Sequence, residues 1–262
     1  MQMKAIKQLG IMGIGLASVL AFSATAEAAS KKYTEVDVTN GGTVTGKVMF
    51  EGAVPEDAID RILITKDQAV CGDGEREVVW IDVKDGALRG SFVFLSKIKE
   101  GKKWAQPEGG VYLINQKGCR FNPWAQVVRP GLITIRNSDK GVLHNINTRE
   151  MIGVEKGRVV KKGIFNFGQP DPGDIEQELK TRRSNYIGIN CEAHNFMFGF
   201  MMAPKHPYAV VVGDDGSFSI DNIPAGDYTL KAWHPRLGVI KSKISIPAGG
   251  SVENSFTFKA KG

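Results

Sequence analysis

Residues 185–197 of this 262-residue chain read NYIGINCEAHNFM and carry most of the information about its fold. The first six residues are rich in β-forming side chains and predict a short strand that ends at Asn190. Cys191 follows at the tip of that strand, and His194 and Met197 come after it on a tight loop. A thiol, an imidazole and a thioether are therefore expected to project from one end of a β-sheet.

Short strand patterns continue from this stretch in both directions, separated by turns rich in Gly, Asp, Asn and Pro. They are GTVTGKVMF (42–50), RILIT (61–65), EVVWIDV (77–83), SFVFL (91–95), GVYLIN (110–115), LITIRN (132–137), YAVVV (208–212), SFSI (217–220), YTLKAW (228–233) and SFTFKA (255–260). One short helix is expected, in DIEQELKTR (174–182). The chain is therefore predicted to be all-β, with a sandwich or Greek-key architecture.

The first thirty residues have the layout of a secretory signal peptide. Lys4 and Lys7 precede a charge-free apolar run (9–22), and SATAEAAS (23–30) contains small-x-small cleavage sites. Because the run is short for a membrane span, residues 1–28 are expected to be removed; an uncleaved N-terminal anchor is the alternative. No later segment is expected to span a membrane. We therefore expect export to the periplasm or another extracytoplasmic space.

The remaining chain divides by composition into three regions: 29–110, 111–205 and 206–262. The first and third are β regions that are either separate or two parts of one sandwich into which the middle is inserted. The formal charge of +6 falls to +5 without residues 1–28, which contain two lysines and one glutamate. This mild excess predicts a weak preference for acidic partners. Nucleic-acid binding is not expected, because no basic stripe is interleaved with aromatic residues.

Three cysteines are an odd number for an exported protein. Cys71 and Cys119 both lie at polar turns, AVCGDG and KGCRFN, and a disulfide between them is our hypothesis. Such a bond would stabilise the fold by about 4 kcal/mol if its effect is mainly on chain entropy. Cys191 would then carry a free thiol in an oxidising compartment, which is a liability unless a metal binds it.

A fourth donor for a metal with Cys191 comes from upstream. His144 lies just past the strand pattern 132–137, and two strand ends can meet at one pole of a sandwich. The proposed ligand set is His144, Cys191, His194 and Met197. This set suits one copper ion, because two imidazoles and a thiolate with a weak axial thioether form the blue-copper arrangement. A tetrahedral zinc site prefers a stronger fourth ligand.

The other two histidines, His206 in KHPY and His234 in AWHP, are interpreted as structural. They are too few for the further multi-histidine copper site of a copper oxidase or reductase, unless a site is shared between subunits. No Gly-x-Ser-x-Gly nucleophile motif occurs. The protein is therefore predicted to be an electron carrier and not an enzyme.

Three motifs resemble the cupredoxin family, the plastocyanin and amicyanin group: GLITIRNSD (131–139), LHNIN (143–147) and NCEAHNFM (190–197). The Cys-x2-His-x2-Met spacing is similar to the shorter ligand loop of amicyanin-like members. The resemblance covers 111–202 and implies a Greek-key cupredoxin sandwich or barrel. It also implies that His144 is the upstream ligand and that Asn145 braces the ligand loop by hydrogen bonding.

The same resemblance implies one-electron transfer to a redox partner protein, such as a cytochrome or a membrane complex. It implies that His194 is the more exposed imidazole and the route for electrons. The continuation FMFGFMMAP (196–204) would then supply an apolar docking rim, although Met201 and Met202 are also interpreted as packing residues.

The stretch DDGSFSIDNIPAGDYTLKAWHPRLG (214–238) resembles carboxypeptidase regulatory-like, transthyretin-like modules. This resemblance covers 208–258 and implies a second, immunoglobulin- or transthyretin-like β-sandwich with a structural role. The combination is similar to exported bacterial plastocyanin-like or methylamine-utilisation proteins. Such relatives often carry a Pro-His pair in the turn where this chain has CRFNPWAQ (119–126), so no second metal role is expected there.

Two other functions remain open from the sequence. A copper store or chaperone would have an open site and would bind metal through its methionines. A structural or assembly subunit of an envelope complex would depend on its sandwich modules alone.

Overall fold

The structure, a computed structural model, describes residues 32–260. The predicted signal peptide (1–28) lies outside the described residues. One short helix, α1 (Gln68–Cys71), and 3₁₀ turns at Glu56–Ala58, Glu108–Gly110 and Val154–Lys156 interrupt a fold made of strands. Within residues 32–260, no helix has the length and apolar character needed to cross a membrane. The prediction of an all-β fold is confirmed.

The first eight strands are β1 (Thr34–Glu35), β2 (Gly42–Glu51), β3 (Ile59–Leu63), β4 (Glu75–Val79), β5 (Val83–Lys84), β6 (Ala87–Leu88), β7 (Phe92–Ser96) and β8 (Glu100–Gly101). The next nine are β9 (Leu113–Gln116), β10 (Phe121–Asn122), β11 (Ala125–Val127), β12 (Gly131–Asn137), β13 (His144–Ile152), β14 (Val160–Gln169), β15 (Gly173–Leu179), β16 (Tyr186–Asn190) and β17 (Phe198–Met202). The last six are β18 (Ala209–Val211), β19 (Ser217–Ile223), β20 (Gly226–His234), β21 (Gly238–Ile246), β22 (Ser251–Glu253) and β23 (Phe256–Lys259).

Strands from both ends of the described chain form one sandwich, here called the terminal sandwich. One of its sheets has the order β18-β7-β20-β21, and the other has the order β19-β2-β6-β5 with β22 and β23 also paired to β2. Strand β2 is the centre of the second sheet, where β6, β19, β22 and β23 pair with it, and burial alternates along its length. Val44, Val48 and Phe50 point into the core while Thr45 and Lys47 are exposed.

Strands β9 to β17 form the middle sandwich. Its sheets have the orders β10-β9-β12-β15 and β11-β17-β16-β13-β14. The space between them is filled by one apolar cluster that includes Ile133, Ile135, Ile146 and Ile187, all at most 1% exposed. Cys191 belongs to the same cluster. The predicted ligands therefore lie at the edge of a packed core that limits their movement.

The predicted helix at 174–182 is wrong. Residues Gly173–Leu179 form β15, an edge strand antiparallel to β12 with Gly131 opposite Leu179. Burial alternates along this strand, so that Ile175, Gln177 and Leu179 are less exposed than the carboxylates between them. That burial pattern outweighs the helix propensity of Glu, Gln and Leu. The charged side chains also protect an edge that could otherwise pair with another strand.

A segment of the N-terminal region leaves the terminal sandwich and packs on the middle one. This capping segment (residues 56–80) contains the β3–β4 hairpin and α1. Its residues Ile64 and Val78 are buried in the same cluster as Cys191. The predicted Cys71–Cys119 disulfide is confirmed and ties the segment to the β9–β10 turn.

The two sandwiches share an apolar interface. Trp233 of β20 is fully buried there, with its ring 4.8 Å from that of Phe92 and 4.7 Å from that of Tyr186. Lys231 and Glu155 form an ion pair across the same junction at 2.7 Å. The middle sandwich is therefore held on two sides, by this interface and by the capping segment.

Candidate metal centre

The loop of residues 191–197 joins β16 to β17. These two strands are antiparallel, and Asn190 at the end of β16 pairs with Phe198 at the start of β17. Two backbone hydrogen bonds fold it tightly. The Cys191 N–H donates to the carbonyl oxygen of Met197, and the Met197 N–H donates to that of His194, both at 3.0 Å. The three predicted donors Cys191, His194 and Met197 therefore lie on one short closed loop.

His144 reaches the same place from a neighbouring strand. It is the first residue of β13, which runs antiparallel to β16 with Asn147 opposite Asn190. The start of β13 therefore lies beside the end of β16, where Cys191 follows. One potential ligand atom each from His144, Cys191 and His194 lies within 4.8 Å of the others.

The three side chains are buried and closely spaced. The Cys191 Sγ is 3.6 Å from His194 Nδ1, and the ring centroids of His144 and His194 are 5.2 Å apart. His144 is fully buried, and Cys191 and His194 are each 2% exposed. Cys191 is a free cysteine. A thiol and two imidazoles thus converge in a site shielded from water.

Each imidazole is held by a carboxylate on its Nε2 side. His144 Nε2 lies 2.8 Å from Asp139 Oδ2, and His194 Nε2 lies 2.9 Å from Asp67 Oδ2. The Nδ1 of His144 is buried without a hydrogen-bond partner, and the Nδ1 of His194 faces the Cys191 sulfur. Both rings therefore direct their Nδ1 atoms inward, as carboxylate-bonded histidine ligands of metals do.

Asp139 connects this site to the disulfide-bonded turn. Its carboxylate accepts hydrogen bonds from the backbone N–H groups of Gly118 at 2.8 Å and Cys119 at 2.9 Å. Burial alone would raise the pKa of Asp139, but those two donors and the His144 ring outweigh it and lower the pKa. Asp139 is therefore ionised at neutral pH and can orient the imidazole beside it.

The protonation of His144 also suits a metal ligand. Burial lowers the pKa of His144, and the neighbouring His194 ring acts in the same direction, against the opposing effect of Asp139. The imidazole is therefore neutral at pH 7, which is the form that binds metals.

The His194 imidazole is only 2% exposed, against 0% for His144, so it is not open to solvent. Its ring is covered by Asp67, which immediately precedes α1 in the capping segment. The Cys71–Cys119 disulfide lies directly beside it, with both sulfur atoms within 4.8 Å of a His194 ring nitrogen. An N-terminal segment thus occupies the position at which the family resemblance implied open surface.

Asn145 connects the ligand loop to the sheet. Its backbone N–H points at the Cys191 Sγ at 3.3 Å, and its Oδ1 accepts from the backbone N–H of Glu192 at 3.2 Å. Its Nδ2 donates to Asn166 and to the carbonyl oxygen of Phe167, both on β14. With these contacts Asn145 lies where it would brace the ligand loop by hydrogen bonding.

Met197 is 1% exposed and belongs to the cluster that contains Cys191. Met201, in the same cluster, and Met202, which packs at the interface with Trp233, are fully buried. The expected apolar docking rim is therefore wrong for the methionines of this stretch. Phe198 and Phe200 are half-buried and pack against Trp124, with ring centroids 6.4 and 6.5 Å from it.

His206 and His234 lie outside this group. Each accepts a hydrogen bond on Nδ1 from a backbone N–H two residues later, of Tyr208 and Arg236 respectively. Burial lowers the pKa of His206 to about 4 and that of His234 to about 3. Both are neutral side chains packed inside the protein at pH 7.

These residues fit a copper ion. The donor set is a thiol, two imidazoles with inward nitrogens and a buried thioether, and His144 Nδ1 has no hydrogen-bond partner among the described residues. A buried polar atom without a partner is costly, and a bound metal would satisfy it. Soft sulfur and imidazole donors together select copper over hard cations.

Two residues of the site escape sequence reasoning. Asp139 lies in the quoted motif, five positions before His144, but any nearby polar residue would have been an equal candidate. Asp67 is far from the ligand loop in the sequence. The only sequence feature that points to it is its position four residues before Cys71, because the disulfide brings Cys71 close to Cys119.

Known proteins match this chain in part. Residues 204–254 match the family described as polysaccharide lyase family 4, domain II. This range overlaps the stretch that resembles carboxypeptidase regulatory-like modules, and it is well under half of the chain. No curated protein matches the chain.

Two solved cupredoxin structures are similar to a portion of it. A novel purple cupredoxin from Nitrosopumilus maritimus is 17% identical, with a TM-score of 0.27, over 36% of this chain and 99% of that one. A variant of amicyanin in its reduced Cu(I) form is 15% identical, with a TM-score of 0.26, over 43% of this chain and 98% of that one. Values this low carry no argument about function, which must come from the site itself.

Proposed function

We propose that the protein is an exported electron carrier with one type 1 copper ion held by His144, Cys191, His194 and Met197. The observation that carries the proposal is the convergence of a buried free thiol with two imidazoles whose Nε2 atoms are already bonded to carboxylates. Bound copper would supply reversible one-electron chemistry between Cu(II) and Cu(I).

The chain's own residues would keep the site in one geometry. The sheet holds His144 at the start of β13, Asp139 and Asp67 orient the two rings, and the closed loop limits the movement of Cys191. A rigid, preorganised site needs little rearrangement when its charge changes. The Asn145 N–H, directed at the sulfur, would stabilise a Cys191 thiolate and tune the reduction potential.

Burial supports electron transfer over metal handling. A store or chaperone needs ligands that can exchange metal, whereas the three methionines at 197, 201 and 202 are at most 1% exposed. His194 is closed off by the capping segment as well.

The proposal includes export to the periplasm or another extracytoplasmic space, which is supported by the predicted signal peptide and by a Cys71–Cys119 disulfide that suits an oxidising compartment. Its partner there would be a redox protein such as a cytochrome or a membrane complex.

An optical spectrum of the purified, copper-loaded protein tests the proposal. We expect a band at about 600 nm from thiolate-to-Cu(II) charge transfer, as the His₂Cys arrangement produces. Cys191→Ser should abolish the band, whereas Met201→Leu, a buried methionine on the adjacent strand, should leave it. Met197→Leu should keep the band and raise the reduction potential.

Two outcomes would contradict electron transfer. A colourless protein that binds Cu(I) and releases it to mild chelators would indicate copper handling. A Cys191→Ser variant that binds no copper but still joins an envelope complex would indicate an assembly subunit.

A further inference from the structure

A cleft opens beside the ligand loop, between the capping segment, the disulfide-bonded turn and the start of β17. It encloses about 420 Å³, which is within the range of sites for small molecules. Its lining residues are Glu77, Val79, Asp82, Lys117, Arg120, Phe121, Asn122, Trp124, Phe196, Met197 and Phe198.

The apolar part of the cleft is mainly aromatic. Phe198 lies between two indoles, with its ring centroid 4.2 Å from that of Trp80 and 6.4 Å from that of Trp124. Phe196 is fixed from behind by Arg76, whose guanidinium carbon lies 4.7 Å from the ring centroid. Flat walls supported in this way favour a planar, aromatic ligand over a flexible aliphatic one.

The charges that line the cleft do not neutralise one another. Glu77 is paired with Arg61 at 3.0 Å, and Asp82 is paired with Arg89 at 2.6 Å, both outside the cleft lining. Lys117 and Arg120 have no carboxylate within 4.0 Å among residues 32–260. The cleft therefore presents two free cations, which select for an anion.

The cleft also reaches the candidate metal centre. Met197, one of the four proposed ligands, forms part of its lining. The other side of the ligand loop is closed, because Asp67 covers the Nε2 of His194. A molecule in the cleft would thus lie beside a side chain that is only 1% exposed and that belongs to the proposed ligand set.

We propose that this cleft binds a small planar aromatic anion, with its ring against Trp124 and Phe198 and its acidic group near Lys117 and Arg120. This deepens the proposed function, on which its meaning rests, because a small aromatic molecule in the cleft would lie beside Met197 of the proposed centre. The residues proposed to hold the ligand all belong to this chain, so ligand binding does not require the metal.

Isothermal titration calorimetry with anthraquinone-2-sulfonate tests the site on the chain without residues 1–28. We expect a dissociation constant below about 1 mM for both the metal-free and the copper-loaded protein. Binding without a band at about 600 nm would leave the cleft standing while the copper proposal fails. A coloured protein that does not bind the probe would overturn the cleft alone.

Charge variants localise the probe. Lys117→Gln together with Arg120→Gln should weaken the sulfonate about tenfold or more, because each removes an ionic contact. The affinity for the uncharged 2-(hydroxymethyl)anthraquinone should remain within about twofold of the original protein. Both residues are exposed, so the double variant is expected to fold.

A matched control uses Lys161→Gln with Lys162→Gln, two exposed lysines of β14 that do not line the cleft. This variant should bind the sulfonate like the original protein. Equal weakening by both double variants would show general charge attraction and would overturn the site. Unchanged sulfonate binding in the Lys117 and Arg120 variant would overturn it as well.

Discussion

At the level of single residues, Asp139 and Asp67 decide how the two imidazoles are presented. A histidine can offer either ring nitrogen to a metal, and the hydrogen bond made by the other nitrogen sets the choice. Here a carboxylate holds each Nε2, so both Nδ1 atoms point inward. The proposed ligand set therefore depends on two acids that the Cys-x2-His-x2-Met motif does not contain.

Asp139→Asn is expected to weaken copper binding about 10- to 100-fold, as loss of carboxylates behind histidine ligands does elsewhere. The amide is neutral and cannot balance charge on the His144 ring or accept all three hydrogen bonds equally well. Competition with a chelator of known affinity measures the effect. Asp174→Asn is the control, since that carboxylate pairs with Arg136 on an exposed strand edge. Equal affinities for the Asp139 variant and the control would contradict this role.

The two structural histidines predict how stability depends on pH. Burial lowers the pKa of His206 to about 4 and of His234 to about 3, against 6.5 without the fold. Below pH 6.5 these two histidines take up protons in the unfolded chain but not in the folded chain. The free energy of unfolding therefore has its full value above that pH and decreases as the solution is acidified. The loss should reach about 2–3 kcal/mol for each histidine near pH 4.5.

Urea unfolding at pH 7 and pH 4.5 measures this loss, and His206→Gln should reduce the difference between the two pH values. Identical pH dependence in the variant and the original protein would show that His206 is not the cause.

At the level of elements, a strand can be predicted from the sequence where buried and exposed positions alternate. The prediction is ambiguous where the composition favours a helix and the burial pattern favours a strand. Strand β2 follows directly from its alternating valines. Residues 174–182 are rich in helix formers, yet β15 forms because it pairs with β12 along its whole length and buries Leu179. Pairing with a neighbouring strand, which is a long-range interaction, outweighs local propensity there.

Gly90 shows how one turn shapes the wall of the cleft. A Cβ atom at this position would lie 2.0 Å from the Trp124 ring, and the backbone φ is +68°. Gly90→Ala should destabilise the protein by about 1–3 kcal/mol more than Gly109→Ala, because of overpacking against the indole. Gly109 has nearly the same φ, +69°, with open space around it, so it isolates the backbone cost. Thermal unfolding compares the two, and equal losses would mean that Trp124 moves aside freely.

The capping segment is the element that separates this chain from the open site that the resemblance implied. It contributes Asp67 to the centre and Cys71 to the disulfide, and Trp80 packs on Phe198. Nothing in the ligand motif anticipates it, because its partners lie more than forty residues away in the chain.

At the level of the whole molecule, the interface around Trp233 couples the two sandwiches. The indole packs on Phe92 of the terminal sandwich and on Tyr186 and Phe200 of the middle one. Trp233→Ala should cost about 3–5 kcal/mol, as removal of large buried aromatic side chains does. Trp104→Ala, at a half-buried position near Tyr112, should cost much less.

Calorimetry and the denaturant midpoint measure both Trp variants. If the interface couples the sandwiches, Trp233→Ala should also split the single unfolding transition into two. A loss no larger than that of Trp104→Ala would contradict a stabilising interface.

The amino-acid sequence by itself determined the all-β class and the order and spacing of four soft donors, and it suggested the Cys71–Cys119 pairing that the structure contains. These follow from local patterns, namely alternation, turns, cysteine placement and the donor atoms themselves. Only the tertiary structure decided which acids orient the imidazoles, that His194 is covered, and that strands from both ends of the described chain share β2 as a partner. Those features depend on contacts between residues far apart in the chain, whose energies come from burial and pairing that no local window contains.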